Sequence, residues 1–331
     1  MPVFNAAATC DHALASLVAQ TFADFEVIAV DDGSTDASLT QLQRWAARDS
    51  RIRVIVAPHR GLVQALNHGL DHCSGEYVAR MDADDWSHPE RLHRQRLLLC
   101  EQSDISVAGC LVEAFPPQQV GEGFRIYLDW LNALVQPADI AREIFIESPI
   151  VHPSAMMYRE ELLSLGGYQD HGWPEDYDLW LRYHTAGKRF AKVPAPLFRW
   201  REHPARMTHT DSRYSVENFI RAKARYLLDG PLRTRTNPII WGAGKTGRRL
   251  AKHLERGGRQ PHCFVDIAPD KIGGTLRRAP IIAPCELPTH WHSLSRPILL
   301  VAVASRGARQ LIRAHLRGLS LTEARDFYCT A

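Results

Sequence analysis

No stretch of this chain approaches the roughly 18–20 uninterrupted apolar residues that a membrane-crossing helix needs, and no basic-then-apolar leader opens it. Paired cysteine spacing is also missing. Cys10, Cys73, Cys100, Cys110, Cys263, Cys285 and Cys329 are odd in number, scattered and free of any CxxC pattern. That speaks against a disulfide framework and a structural zinc site, and for a reducing cytoplasm. Neither sign of charge dominates: the formal net charge is +3, with no stripe of Lys and Arg interleaved with aromatics, so nucleic acid is not an expected partner. The one basic cluster, Arg221, Lys223, Arg225, Arg233 and Arg235, leaves open a peripheral contact at the inner face of a membrane. A solvated helix face followed by a linker is the plainer account.

What is present is an ordinary globular composition, 45% apolar and 23% charged, over 331 residues, enough for two domains. The first half alternates short β-type runs with helical patterns. Strands are expected at Phe25–Val30, Arg53–Val56, Tyr77–Met81 and Ile105–Gly109, with helices at about 36–48, 62–72 and 90–102. That rhythm predicts an α/β fold, a mostly parallel sheet flanked by helices, with ligands outside the carboxyl ends of the strands. Pro2-Val3-Phe4-Asn5 reads as the end of a first strand that is short against the usual 5–6 residues. Residues 115–150 read as irregular apart from a helix at about 137–146. The polar, proline-bearing stretch 231–238 is the expected linker between domains 1–230 and 239–331.

Two acidic turns fall at predicted strand ends. Asp82-Ala83-Asp84 could direct two carboxylates into one cleft and hold a hard cation, Mg²⁺ or Mn²⁺, through oxygen; alone it is better read as a solvated, helix-capping turn. Asp31-Asp32-Gly33-Ser34 is respectable turn chemistry by itself, but the two turns at one sheet edge are harder to dismiss. A third group, Glu175 and Asp176 after Pro174, opens a helix expected to be largely buried, where a carboxylate must be satisfied or used. Asp176, ahead of Glu175, is the candidate general base. His203 is a candidate metal or diphosphate ligand, and His152 a hydrogen-bonded structural residue.

In order and spacing, Pro2-Val3-Phe4-Asn5, Gln20-Thr21-Phe22, the run Phe25–Asp36, Asp82-Ala83-Asp84-Asp85 and Glu175-Asp176 resemble the family 2 inverting glycosyltransferases of the GT-A fold over about the first 210 residues. The resemblance implies that Phe4, Asn5, Asp32 and Asp82 bind the donor nucleotide. It further implies that Asp84 and Asp82 hold the metal and that Asp176 is the base. The donor would be a nucleoside-diphosphate sugar, and the acceptor a saccharide, lipid-linked or other hydroxyl. The setting would be surface-glycan or glycoconjugate synthesis. The QxxRW motif of processive members is absent, so transfer of one sugar at a time is expected. The alternative is a non-catalytic nucleotide-sugar or dinucleotide-binding sensor or scaffold.

Beyond the linker, Gly242, Gly244 and Gly247 form a GxGxxG pattern between a predicted strand and helix, with Asp266 about twenty residues on. This resembles a small Rossmann-like α/β domain and makes those four residues a second candidate nucleotide site.

Overall fold

The computed structural model describes the whole chain, Met1–Ala331, which packs as two units. The first comprises Met1–Ala141, Pro149–His171 and Ala186–Thr210, and the second Arg142–Ser148, Gly172–Thr185 and Asp211–Ala331.

In the first unit, β1 (Pro2–Val3), β2 (Val27–Asp32) and β3 (Ile52–Ala57) form a three-stranded parallel sheet in the order β1-β2-β3. The continuous apolar run of β2 is buried at every residue, as expected of a parallel strand covered on both faces. Helices α1 (Cys10–Val18) and α2 (Ser38–Ala46) connect these strands, and α3 (Leu62–Asp71) follows β3. Gly69 lets α3 lie close to β2: a Cβ there would stand 3.2 Å from Val30 Cγ2.

The second sheet of this unit runs β4-β7-β6-β8-β5, from β4 (Tyr77–Ala79), β5 (Trp86–Ser87), β6 (Ile105–Phe115), β7 (Met156–Tyr158) and β8 (Arg189–Arg201). Here β6 and β8 are parallel, while β4, β5 and β7 pair antiparallel. Helices α4 (Arg91–Glu101), α5 (Glu122–Ala133), α6 (Pro137–Glu143), α7 (Arg159–Ser164) and α9 (Met207–Thr210) complete the chain path. Val3, Leu14, Ala29, Met81, Val112, Leu131 and Phe198 belong to one apolar core. Helix α5 replaces part of the irregular stretch expected from sequence. Gly121 is its N-cap rather than a breaker, and Phe124, Tyr127, Leu128 and Leu131 recur at helical spacing with Leu128 and Leu131 buried.

The second unit holds α8 (Glu175–Thr185), α10 (Val216–Asp229) and a six-stranded sheet. Its order is β11-β12-β10-β9-β13-β14, from β9 (Ile239–Trp241), β10 (Cys263–Val265), β11 (Thr275–Leu276), β12 (Ala279–Ile282), β13 (Leu299–Val301) and β14 (Phe327–Cys329). All pairs are parallel except β11 with β12. Helices α11 (Lys245–Arg256), α12 (Leu287–His292) and α13 (Ala308–Gly318) link the strands.

Residues 231–238 pack with this unit. The reason lies in α10. Its Lys223 is buried and donates to Ile146 O at 2.6 Å and Thr330 O at 3.1 Å, and its Glu217 receives Lys252 and His253 of α11 at 3.2 and 2.8 Å.

Candidate functional site

The carboxyl end of β2 gathers three of the expected donor-site residues. Gly33 turns the chain there at φ 74°, and a Cβ on it would lie 2.7 Å from His59 N. Asp32 is buried, and its carboxylate accepts from the backbone amides of Arg60 and Gly61, both at 2.9 Å, and lies 2.8 Å from His59 Nδ1. The His59 ring is stacked on Phe4, centroids 4.0 Å apart and 17° between planes. Asn5 Oδ1 accepts from Thr35 N at 2.8 Å while the Asn5 backbone N–H donates to Ser34 Oγ at 3.0 Å. Phe4, Asn5 and Asp32 therefore share one location. Asp32 spends its oxygens on the 59–61 loop, leaving the exposed Phe4–His59 pair as the aromatic surface. Beside it the buried Asp31 Oδ1 has no hydrogen-bond partner.

Asp82, Ala83 and Asp84 lie between β4 and β5, and with Asp85 they form an acidic cluster. One oxygen from each of Asp82, Asp84 and Asp85 lies within 4.8 Å of the others. Asp82 Oδ1 accepts from Arg80 at 2.7 Å. Because β5 pairs antiparallel with the end of β8, residues just past β8 return to this turn. His203 Nε2 thus stands 3.1 Å from Asp84 Oδ2, Arg201 N donates to Asp85 Oδ1 at 2.7 Å, and Arg201 Nε donates to the Asp84 carbonyl at 2.6 Å.

Burial and the Asp82 charge raise the Asp84 carboxyl, although His203 opposes the shift. Burial, with Asp84 and Asp82, holds Asp85 well above the usual carboxylate range, and its Oδ2 is buried without a partner. Three crowded carboxylates and an orphaned oxygen form a donor set that a divalent cation would fit. Carboxylate oxygens with one imidazole nitrogen suit Mg²⁺ or Mn²⁺. Asp82 and Asp84 are brought together with a third carboxylate, Asp85, and His203 meets Asp84. His152 is buried, 3.2 Å from Tyr168 Oη, as a structural histidine would be.

Glu175 and Asp176 begin α8 in the second unit. Glu175 is buried and both its oxygens accept from Tyr214 Oη, at 3.1 and 3.0 Å. Asp176 is partly exposed, and its Oδ1 accepts from Tyr177 N at 2.7 Å. Burial, then the charges of Glu175 and Glu147, push its carboxyl up to about 8. One turn of helix on, the fully buried Asp178 accepts from Trp173 Nε1 at 2.8 Å, Tyr226 Oη at 2.7 Å and Arg182 Nε at 2.8 Å. In the same unit, Gly242, Gly244, Gly247 and Asp266 lie together at the carboxyl ends of β9 and β10, where Ala243 N donates to Asp266 Oδ2 at 2.9 Å.

The sequence model of glycosyl transferase family 2 matches residues 1–166. The chain belongs to that family. Relatives of this glycosyltransferase include EpsE of Bacillus subtilis, itself assigned as a glycosyltransferase. It is 32% identical across 66% of this chain and 78% of its own length. The amylovoran biosynthesis glycosyltransferase AmsE of Erwinia amylovora is 31% identical across 58% and 70%. Among solved structures, S. aureus TarS in complex with UDP-GlcNAc superimposes with a TM-score of 0.57 at 19% identity, over 77% of this chain and 70% of that one. The mannosyltransferase PcManGT of Pyrobaculum calidifontis, in complex with GDP-Man and Mn²⁺, gives 0.50 at 18%, over 97% and 79%. These likenesses place the family 2 chain among α/β folds of GT-A type.

Sequence reasoning about this transferase missed His59, Asp85 and Tyr214. Asp85 carried a signal, since it adjoins the acidic pair. His59 and Tyr214 carried none, because their partners Phe4 and Glu175 are 55 and 39 residues away. A His262–Cys263–His290 cluster in the second unit was also illegible from spacing; its two rings already satisfy one another, Nε2 to Nδ1, at 3.1 Å.

Proposed function

We propose that this protein moves a single sugar from a nucleoside-diphosphate sugar to an acceptor hydroxyl with inversion at the anomeric carbon. The observation that carries the proposal is the convergence of Asp82, Asp84 and Asp85, with His203 in contact with Asp84, in a unit whose Phe4–His59 pair offers a flat surface to a base. Asp84, Asp82 and His203 would hold Mg²⁺ or Mn²⁺, with Asp85 as a further donor. Bound there, the cation would neutralise the diphosphate that departs. Phe4 and His59 receive the nucleotide base by stacking, and Asp32 acts on it indirectly, by fixing the loop that carries His59.

Asp176 accepts the proton of the acceptor hydroxyl, whose oxygen attacks the anomeric carbon as the bond to the diphosphate breaks. A carboxyl held near 8 is, once ionised, a stronger base than an ordinary carboxylate, and taking the proton leaves it in the neutral form that its surroundings favour. The amylovoran and O-antigen assignments of relatives support a role in surface polysaccharide assembly. The transferase portion is taken to be residues 1–230, and the glycine-loop portion, residues 239–331, a Rossmann-like unit. No helix is long and apolar enough to cross a membrane.

The test is release of nucleoside diphosphate from a panel of UDP-, GDP- and dTDP-sugars, with Mn²⁺ and with chelator. Turnover of at least one donor with metal, lost with chelator, is expected. Turnover indifferent to chelator would remove the cation, and no turnover of any donor with any hydroxyl acceptor would remove the enzyme.

A further inference from the structure

A cavity of about 870 Å³ lies in the second unit, of ample size for a nucleotide-scale ligand and unused by the transfer reaction. Strand β9 is central in its sheet: the chain passes from it to β10 on one side and later returns to β13 on the other. Such a reversal opens a crevice at the carboxyl ends of the strands. The loop leaving β9 and the segment Ala302–Ser305 after β13 line this cavity.

Three features of the cavity point to one kind of occupant. The first is uncovered apolar surface. Ile267 and Leu311, 76% and 74% exposed, are the two most exposed large hydrophobic side chains of the protein, and both line the cavity. Leaving both in water is unfavourable unless something flat and apolar covers them. The second is a tightly drawn glycine loop. Gly242 has φ 117°, a Cβ on it would lie 2.9 Å from Ala302 O, and one on Gly247 would lie 1.9 Å from Gly242 O. The loop therefore delivers the start of α11 to the cavity with no side-chain cap. The first amides there lack acceptors and favour an anion, and Lys245 and Lys271 add positive charge to the lining.

The third feature is the state of Asp266. In dinucleotide-binding units the corresponding acid receives a ribose hydroxyl. Here its carboxylate accepts from Ala243 N at 2.9 Å, Ala268 N at 3.0 Å and Lys271 Nζ at 3.1 Å. It braces the loop instead of reading a sugar, which removes the main reason to expect NAD.

We propose that this cavity is a second nucleotide site that takes a nucleoside diphosphate without a metal ion, its base against Ile267 and Leu311 and its phosphates over the start of α11. The site is independent of the acidic cluster and does not rest on the transfer reaction. No group of carboxylates lines it, so no cation is needed.

The experiment uses the full chain in EDTA, with UDP, GDP, ADP and NAD⁺ as probes in calorimetric titrations. Gly244→Asp is the informative variant. Nothing lies within 4 Å of a Cβ at Gly244, and Asp at this position caps α11 while setting a negative charge where the phosphates would sit. The melting temperature of G244D should equal or exceed that of the parent. At least one nucleoside diphosphate should bind the parent in EDTA and bind G244D at least tenfold more weakly. Metal-dependent donor turnover should be the same in both. Leu311→Ser should also weaken the same probe several-fold. Absence of any diphosphate binding in EDTA overturns the proposal. So does binding untouched by G244D, which would put the nucleotide elsewhere, or a clear preference for NAD⁺, which would return the cavity to the dinucleotide class.

Discussion

Replacing Asp176 by Asn should make the protein inactive and more stable, and the gain in stability should depend on pH. Raising a carboxyl from 3.8 to about 8, at about 1.4 kcal/mol per pH unit, costs about 6 kcal/mol when the group is ionised. Asp176 is partly exposed, so solvent screening leaves roughly half of this, about 3 kcal/mol. The sign follows from proton linkage. Between pH 3.8 and 8 the native state binds more protons at this position than the unfolded chain does, so wild-type stability falls as pH rises through that window. Asn stays neutral throughout and can still accept from Tyr177 N.

The melting temperatures of the two proteins should therefore coincide near pH 4 and diverge to roughly 6–12 °C in favour of Asn by pH 8, at about 2–4 °C per kcal/mol. Melts from pH 4.5 to 8.5 in chelator, without nucleotide, provide the curve. Transfer by the Asn protein should fall by about 10²–10⁴, and the wild-type rate should climb with pH toward 8 as Asp176 ionises. A stability difference that is flat across pH, or an Asn protein that melts lower at pH 8, would refute the electrostatic argument. Retained turnover would remove Asp176 from the chemistry.

Other outcomes can be stated briefly. Asp84→Ala should reduce Mn²⁺-dependent donor affinity at least tenfold, to the level seen with chelator; calorimetry of wild type and variant decides it, and equal affinities would place the cation elsewhere. Asp32→Ala removes the acceptor of the part-buried Arg60 and Gly61 amides and should cost about 1–3 kcal/mol in urea unfolding; an unchanged midpoint would mean the carboxylate does not hold that loop. Asp178→Ala leaves a buried guanidinium without its acid and should cost about 3–5 kcal/mol, readable in the same unfolding curves. Gly247→Ala should destabilise the second unit severely, its Cβ colliding 1.9 Å from Gly242 O, whereas Gly244→Ala meets nothing within 4 Å and should be nearly neutral. Limited proteolysis of the two proteins separates these cases, and equal resistance would contradict the packing of the loop.

The sequence was legible where function and local chemistry coincide. Asp31-Asp32 and the Asp82–Asp85 turn announce themselves because runs such as Val27–Val30 can only be buried strands and acids cannot continue them. His203 was open to proposal as a ligand, yet its arrival at Asp84 depends on β8 pairing antiparallel with β5, more than a hundred residues away. Asp32 shows the opposite failure. Its type and place were evident, but the amides that occupy its oxygens come from a loop whose approach no local pattern encodes. The unexpected α5 has a related cause: Gly121 and Gly123 suggest a break, while the helical spacing of Phe124, Tyr127, Leu128 and Leu131 decides the outcome. The grouping of α8 and α10 with the C-terminal sheet rests on contacts such as Lys223 with Thr330, separated by 107 residues, and composition at a linker carries no trace of them.

The fastening of α8 has a consequence for how such a protein diversifies. Trp173, Tyr226 and Arg182 all converge on Asp178, two positions from Asp176. The start of that helix cannot slide or rotate without breaking two hydrogen bonds together, both from aromatic side chains outside the helix, while Arg182 within it braces the carboxylate they share. Under the proposed chemistry, the point of proton removal is thus set by an internal rivet instead of by the surrounding loops. Those loops are then free to drift between lineages. New acceptors can be tried one substitution at a time, with the step that makes them reactive left in place.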